Sequence, residues 1–156
     1  MTTGREIARA LRAAYLALHR QTNDSLAKDG VTADQFVLLS ALADADAVTQ
    51  QELVRRVGSD PNTVRAMLLL LECRGLVVRE RHPSDGRARR VTLTAKGRQV
   101  FKKLWTKSEP LRARLLADFR PDEVTALLGL LHRVAEVMAP PASDGSRTKC
   151  FASDHL

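Results

Sequence analysis

Two predicted helices and a predicted hairpin follow one another between Thr49 and Gly97, and their order restricts the fold more than any other feature of the sequence. The helices are predicted over TQQELVRRVG and DPNTVRAMLLLLECRG. Two β-like runs, LVVRER and RVTLT, come next and are joined by the loop HPSDGRAR. An order of helix, turn, helix and β-hairpin is typical of a winged helix-turn-helix.

Local capping signals mark where these helices begin. In a capping box, a Thr side chain accepts a hydrogen bond from the third helical N–H, and a Glu or Gln at that third position reaches back. Thr32 with Gln35 and Thr49 with Glu52 have this spacing, so we expect a box at both sites. Asp60-Pro61 predicts the start of the next helix, because the proline lacks only an N–H that would have no helical partner.

Apolar spacing predicts which faces of these elements are buried. On the helix after Asp60, apolar residues recur at helical spacing and form a stripe. The stripe consists of Val64, Met67, Leu68 and Leu71, and the opposite side carries Asn62, Arg65, Ala66 and Leu69. In the hairpin, the alternating apolar residues are Leu76, Val78, Val91 and Leu93. Such alternation predicts two short antiparallel strands with one buried face.

Further helices flank this region. One is predicted from about Arg5 to Lys28, and Pro110 should kink or interrupt the long helix that begins after Thr94. Pro121 begins a final helix with a long apolar stripe. We therefore predict a mainly α protein with a small antiparallel β-wing. Its domain would cover 5–139, with a winged-helix core at about 32–97, flanking helices at about 5–28 and 108–139, and a flexible tail at 140–156.

Composition narrows the choice of partner and compartment. The chain has 156 residues and a net charge of +7, which favours a polyanionic partner, although a basic surface also serves solubility alone. No apolar run has the length of a membrane span and no signal peptide begins the chain, so we expect a cytoplasmic protein with no membrane partner. The two cysteines lack metal-ligand spacing. Cys73 is expected to be a half-buried helix residue, with a redox sensor as the alternative.

The helix that begins after Asp60 carries short polar and cationic side chains at its start. Asn62, Thr63 and Arg65 lie on its first turn, where side chains reach base edges and phosphates when a helix enters a major groove. Asn can pair with adenine, and Arg with guanine. These residues predict a surface that reads DNA. The alternative is that Asn62 and Thr63 only satisfy the N–H groups of the helix start.

The hairpin tip is rich in arginine. Arg87 and Arg89 are placed to enter an adjacent minor groove, whose negative potential attracts guanidinium groups, and Arg90 lies beside them. Asp85 is placed to orient the Arg87 guanidinium rather than to meet DNA itself. Here the alternative is a solvated cationic surface with no partner. The combination of this tip with the helix before it favours DNA binding.

The stretch from Thr49 to Gly97 resembles the winged-helix core of the MarR family, the multiple-antibiotic-resistance regulators. The matching segments are TQQELVRRVG, TVRAMLLLLECRGLVVRE, the wing signature Asp85-Gly86-Arg87 and VTLTAKG at 91–97. With the flanking helices, the likeness extends from about Arg5 to Ala139. It implies a homodimer that binds a pseudo-palindromic operator, usually represses transcription and often releases DNA when a small phenolic or anionic ligand binds. The residues that fall on the family's DNA contacts are Asn62, Thr63, Arg65 and Arg87.

The flanking helices carry more apolar surface than one subunit would cover, which also predicts a homodimer, with packing inside one chain as the alternative. An effector pocket is predicted from Arg12, Tyr15 and His19, which share one side of the first helix, with Phe36 and Trp105 facing them. One cation among several rings would suit a small aromatic acid. The alternative is that the same rings pack in the core or in a subunit interface without binding a ligand, and this alternative stays open.

Other functions find less support in the sequence. The histidines are scattered and no Gly-rich phosphate loop is present, so we predict no catalytic site, no metal and no cofactor. A winged helix used only for protein contact is a rival function, against which the arginine-rich wing counts. A redox-responsive regulator acting through Cys73 is a further alternative.

Overall fold

The computed structural model describes residues 3–139 and contains seven α-helices and three short β-strands within that range. The elements are α1 (Gly4–Leu26), α2 (Ala33–Ala43), β1 (Val48–Thr49), α3 (Gln50–Val57), α4 (Pro61–Cys73), β2 (Val77–Arg81), β3 (Arg89–Leu93), α5 (Ala95–Lys107), α6 (Glu109–Ala117) and α7 (Pro121–Met138). The predicted class, mainly α with a small antiparallel sheet, is confirmed. The tail at 140–156, with Cys150, lies outside the described residues.

Most helix starts follow their capping signals. Thr32 and Gln35 form the predicted box: the Thr32 Oγ1 accepts the Gln35 N–H at 3.2 Å, and the Gln35 Oε1 accepts the Thr32 N–H at 3.2 Å. The expected interruption near Pro110 is also present, because α5 ends at Lys107 and α6 begins at Glu109. These boundaries need only contacts between close neighbours in the chain.

The box at Thr49 forms only in part. The Thr49 Oγ1 accepts the Glu52 N–H at 3.1 Å, as expected. The Glu52 carboxylate, however, forms ion pairs with Arg55 and, at 3.1 Å, with Arg56 instead of reaching back to Thr49. Two guanidinium groups three and four residues away attract a carboxylate more strongly than one neutral N–H does. The second half of the predicted box is therefore wrong.

The sheet has three antiparallel strands in the order β1-β3-β2, one more than the predicted hairpin. In the added strand, Val48 pairs with Val91 and Thr49 pairs with Arg90. Two residues are too few to show an alternating pattern, so this strand left no periodic signal in the sequence. Val48 is buried and joins the start of α3 to the sheet.

The buried face of β2 differs from the predicted one. Val77, not Val78, points into the core: Val77 is 2% exposed and pairs with Leu93, whereas Val78 is 38% exposed. Leu76 is buried as expected, but it belongs to the turn that ends α4, where its N–H donates to the Leu71 carbonyl at 2.9 Å. The alternation therefore begins one residue later than the sequence pattern indicates.

The hydrophobic core is made by the end of α1, by α2, α3, α4 and α5, and by the sheet. In α4, the predicted stripe is confirmed, since Val64, Leu68 and Leu71 are fully buried and Met67 is partly buried against them. The other large side chains without exposed surface are Leu26, Leu38, Leu39, Leu53, Val91 and Leu104. Burying the inner face of α4 leaves its opposite face free for a partner.

Ion pairs fasten the turn between α1 and α2 to α5. Asp29 binds Lys103 at 2.7 Å and also pairs with Lys107. Hydrogen bonds from these two ammonium groups lower the pKa of Asp29 to about 2. The Arg74 guanidinium donates to the Gly30 carbonyl at 2.6 Å from the end of α4. The turn between α1 and α2 is thus bound by both α4 and α5.

By compactness the chain divides into two units, Met1–Leu115 and Leu116–Leu156. The core described above lies in the first unit. In the second, α7 has no buried residue, although its apolar side chains recur at helical spacing. None of the helices in the described range 3–139 combines the length and apolarity that crossing a bilayer requires.

The first turn of α5 lies directly on the turn that ends α4. Thr94 Oγ1 donates to the Gly75 carbonyl at 2.6 Å and accepts the Gly97 N–H at 2.9 Å. The Thr94 N–H donates to the Leu76 carbonyl at 3.1 Å. A Cβ added to Gly97 would lie 1.9 Å from that same carbonyl oxygen, so only glycine fits here.

We expect Gly97→Ala to destabilise the fold by about 3 kcal/mol, because the new methyl group overlaps backbone that cannot move without disturbing α4 and β2. Gly86→Ala is the matched control: its Cβ would meet nothing within 4 Å, and its effect should stay within about 0.5 kcal/mol. Urea denaturation followed by circular dichroism measures both. Equal stability of the two variants would contradict the close approach.

Candidate nucleic-acid interface

The first turn of α4 presents the residues predicted to read DNA. Asn62, Thr63 and Arg65 are all exposed. Asp60 caps the helix, since its Oδ1 accepts the Thr63 N–H at 2.9 Å and its Oδ2 accepts the Thr63 hydroxyl. These bonds from Thr63 lower the pKa of Asp60. Thr63 thus takes part in capping, which leaves Asn62 and Arg65 as the freer polar groups of the turn.

Beyond the first turn, the outer face of α4 is apolar. Leu69 is 43% exposed and Leu70 is 56% exposed. Ala66 lies beside them and is also exposed. Cys73 at the end of the helix is exposed too, which corrects the expectation that it is half-buried. Polar contacts from α4 to a nucleic acid would therefore be confined to its N-terminal end.

The hairpin tip is held by short backbone contacts. The Asp85 Oδ1 accepts the Arg87 N–H at 3.0 Å, and the Asp85 carbonyl accepts the Ala88 N–H at 3.1 Å. The His82 N–H donates to the Ala88 carbonyl at 2.9 Å and closes the loop. Asp85 was expected to orient the Arg87 guanidinium, but its side chain bonds to the Arg87 backbone. It shapes the turn from which the arginine extends.

The cationic side chains of the wing differ in exposure. Arg87 and Arg89 are exposed, whereas Arg90 is half-buried. Arg79 is 17% exposed and is held by Glu72 of α4, with Nε at 2.9 Å and Nη2 at 2.6 Å from Glu72 Oε2. The hydrogen bond from Arg79 lowers the pKa of Glu72. This pair ties α4 to β2 and sets the wing against the helix.

A cleft of about 610 Å³ separates the wing from the starts of α3 and α4. Its lining residues are Thr49, Gln50, Gln51, Val54, Pro61, His82, Asp85, Arg87, Ala88 and Arg89. Gln50 and Gln51 at the N-terminal end of α3 line this cleft, so the positive end of the helix dipole lies beside it. With two exposed arginines on the facing wall, the cleft is suited to a phosphate backbone.

Sequence reasoning did not single out three residues of this cleft. Gln50 and Gln51 occupy the first positions of α3, and His82 lies at the start of the loop between β2 and β3. The Thr49 capping signal located the start of α3 and could have pointed to the two glutamines. The sequence held no comparable signal for His82, because its place in the cleft depends on the path of the hairpin.

The residues predicted for an effector pocket fall into two groups. Tyr15 and His19 lie together on α1, with ring centroids 5.4 Å apart, and the His19 Nε2 is 3.2 Å from the Asp34 Oδ2. Phe36 and Trp105 form a separate aromatic cluster with Phe101. Trp105 is covered on one face by the Arg112 guanidinium, 3.6 Å from the ring centroid. Arg12 is exposed on α1.

A second cleft, of about 450 Å³, opens beside Tyr15. Burial, followed by the negative charge of Asp34, raises the pKa of Tyr15. The residues that line this cleft are Tyr15, Asp34, Val37, Val57, Gly58, Ser59, Asp60, Thr63 and Met67. It therefore extends from α1 to the cap of α4 and borders the first turn that carries Asn62 and Arg65.

Comparison with known proteins relates this arrangement of helices and wing to a known family. A family model described as the MarR family matches residues 31–88. An HTH-type transcriptional repressor of Mycobacterium bovis, Mb2911, is 32% identical over 100 residues, which are 64% of this chain and 72% of the relative. Two further transcriptional regulators also match. The chain spans 64% of the length of the first and 53% of the length of the second.

Solved structures of regulators have the same fold over most of their length. A mutant MarR from E. coli, in complex with operator DNA, superposes with a TM-score of 0.74 at 28% identity, covering 82% of this chain and 92% of MarR. BpsR of Bordetella bronchiseptica, whose DNA binding is regulated by 6-hydroxynicotinic acid, gives a TM-score of 0.74 at 28% identity. That match covers 83% of this chain and 98% of BpsR.

The Asp85 contact generates a test of how the wing is ordered. Asp85→Ala should raise the solvent exchange rate of the Arg87 amide about tenfold, because its acceptor is lost. Asp85→Asn keeps an oxygen at the same place and should leave that rate near the wild-type value. Amide exchange by NMR measures both variants. Equal rates in wild type and Asp85→Ala would mean that the carboxylate does not hold the turn.

Proposed function

Because this chain belongs to the MarR family, whose members are transcriptional regulators and not enzymes, we propose that it binds double-stranded DNA as a homodimer and represses transcription. The observation that carries the proposal is that exposed polar groups of α4 and of the wing lie close together, since Arg65 and Arg89 line the same recess. Asn62 and Arg65 lie on the start of α4, and Arg87 and Arg89 lie on the wing. The cleft between wing and α3 lies among them.

On this proposal, the two parts of the interface have different tasks. Arg65 and Asn62 enter the major groove, where Arg recognises guanine and Asn recognises adenine. Arg87 and Arg89 enter the neighbouring minor groove and add affinity through its negative potential. The Glu72–Arg79 ion pair supports both tasks, because it holds the wing at a fixed place relative to α4. E. coli MarR, which shares the fold, was solved on operator DNA.

The proposed dimer rests on uncovered apolar surface. Within α7, Leu127 is 42% exposed, Leu128 52% and Leu131 39%. On α1, Ile7 is 51% exposed. Leaving such stripes in water is unfavourable, and a second copy of the chain would bury them. A two-fold pair would also present its two copies of α4, the proposed recognition helix, to a pseudo-palindromic operator about one DNA turn apart.

We further propose that a small aromatic ligand controls DNA binding. The cleft beside Tyr15 supports this, because it reaches Asp60 and Thr63 at the cap of the recognition helix. An occupant there would contact the residues that order the first turn. BpsR provides a precedent, since 6-hydroxynicotinic acid regulates its DNA binding.

The alternative of redox control through Cys73 remains a prediction. It is tested by peroxide treatment of the wild type and of Cys73→Ser.

Salt dependence tests the DNA contacts. The affinity for operator DNA should fall steeply as salt rises, because phosphate contacts release counterions. Arg87→Ala should lower the affinity for all sequences and reduce the slope of log affinity against log salt by about 1 per contact. Arg65→Ala should in addition cost about 1–3 kcal/mol of discrimination at one base pair per half-site. Fluorescence anisotropy with a footprinted operator and its single-base variants measures these effects.

The matched control for these variants is Lys102→Ala, which removes one exposed positive charge from α5. It should leave the salt slope nearly unchanged, since it lies outside the proposed interface. A wild-type protein that binds no duplex at low ionic strength would refute the proposal. So would a loss of affinity in Lys102→Ala as large as that in Arg87→Ala.

The dimer is tested by placing a charge on the uncovered stripe of α7. Leu128→Glu should convert the protein from dimer to monomer at micromolar concentration, because the carboxylate would be buried in an apolar contact. Leu70→Glu places the same group on a leucine of similar exposure on α4 and should remain dimeric. Sedimentation velocity distinguishes the two states. A monomeric wild type, or a dimeric Leu128→Glu, would exclude this surface.

A further inference from the structure

We infer that the cleft beside Tyr15 binds small aromatic cations, and that such a ligand, rather than an aromatic acid, is the effector of this protein. The inference rests on the proposed function for its regulatory consequence, since it names the charge of the molecule that would control DNA binding. The binding of the cation itself follows from the walls of the cleft alone. We refer to this site as the Tyr15 cleft, with the lining residues given above.

The charges on its walls select the ligand. Asp34 and Asp60 are both among the lining residues, whereas no Lys or Arg is among the described residues that line the cleft. The Asp34 side chain is 52% exposed, so part of its carboxylate surface is free although His19 donates to it. An aromatic acid would bring a third negative charge beside these two. An ammonium group would instead gain hydrogen bonds to a carboxylate.

The remaining walls suit an aromatic ring. Tyr15 is 57% exposed, and its ring leans against His19 with an interplanar angle of 39°. Val37 is 48% exposed on the next helix. Val57 and Met67 also line the cleft. An electron-rich ring attracts a cation over its face, while aliphatic and thioether groups pack against the apolar part of a ligand.

The arginine that was predicted to bind the carboxylate of an aromatic acid does not line this cleft. Arg12 precedes Tyr15 by one helical turn, but it is not among the lining residues. Arg112 is over Trp105 in the separate aromatic cluster, where it also donates to the Trp105 carbonyl at 2.9 Å. His19 is the basic group next to the cleft, and its Nε2 is directed to Asp34. The described lining of the Tyr15 cleft therefore lacks the guanidinium group that would bind the carboxylate of an aromatic acid.

The position of Asp60 links occupancy to DNA binding. This carboxylate caps α4 through Thr63, and both residues face the cleft. A cation that draws the Asp60 carboxylate towards itself weakens the cap, because it moves the two carboxylate oxygens away from the Thr63 N–H and hydroxyl that they bind. The first turn of α4, with Asn62 and Arg65, would then lose its fixed orientation. Since N-caps hold the first turn of a helix, DNA affinity should fall when the cleft is filled.

The experiment compares two probes that share a phenol ring and differ in charge: tyramine and 3-(4-hydroxyphenyl)propionate. Isothermal titration calorimetry with the full chain should detect binding of tyramine and much weaker or no binding of the acid. Asp34→Asn should weaken tyramine binding about tenfold, which is the effect of losing one favourable charge contact. Tyr15→Leu, which keeps apolar bulk but removes the ring, should also weaken it.

The control is Asp46→Asn, which removes an exposed carboxylate from the loop after α2 and should leave tyramine binding unchanged. The inference is overturned if the acid binds more tightly than tyramine, if neither probe binds, or if Asp34→Asn binds tyramine as wild type does. DNA affinity measured without either probe separates the two proposals. A protein that binds tyramine but no DNA would refute the proposed function and leave the cation site standing.

Discussion

The contact between Gly97 and the Leu76 carbonyl sets how α4 and the wing are arranged. It brings the first turn of α5 against the turn that ends α4, and Thr94 adds hydrogen bonds to both Gly75 and Leu76. Because β2 begins at the next residue, the same contact fixes where the wing leaves the core. A side chain at position 97 would separate all three elements.

The division of α4 into two faces connects this contact to function. Its inner stripe fills the core, and Glu72 holds Arg79 of β2, so the helix cannot rotate without losing both. Its first turn is consequently presented outward in one orientation. Asp60 stands at the meeting point, since it caps that turn and also lines the Tyr15 cleft. The proposed DNA contacts and the proposed effector site therefore share a single capping residue.

Sequence patterns located the helix starts and the exposed polar groups well, but they assigned the contacts of two carboxylates incorrectly. Glu52 was expected to complete a capping box, yet it pairs with Arg55 and Arg56. Asp85 was expected to hold the Arg87 guanidinium, yet its carboxylate bonds to the Arg87 amide. In each case the residue lies within four positions of both candidate partners. Choosing between them requires the actual directions of the side chains, which spacing alone does not specify.

The order of residues was enough to specify the local framework: Thr32, Asp60 and Thr94 begin helices, Gly58 and Gly75 end them, and apolar spacing selects the inner face of α4. These features depend on contacts within one or two helical turns, so they can be inferred before the chain is folded. The folded chain alone revealed that Val48 joins the sheet and that Asp34 meets Tyr15 at a cleft. It also revealed that Phe36 and Trp105 lie apart from that cleft. Such contacts join segments that are distant in the chain, and they form only after the core has set the positions of the helices.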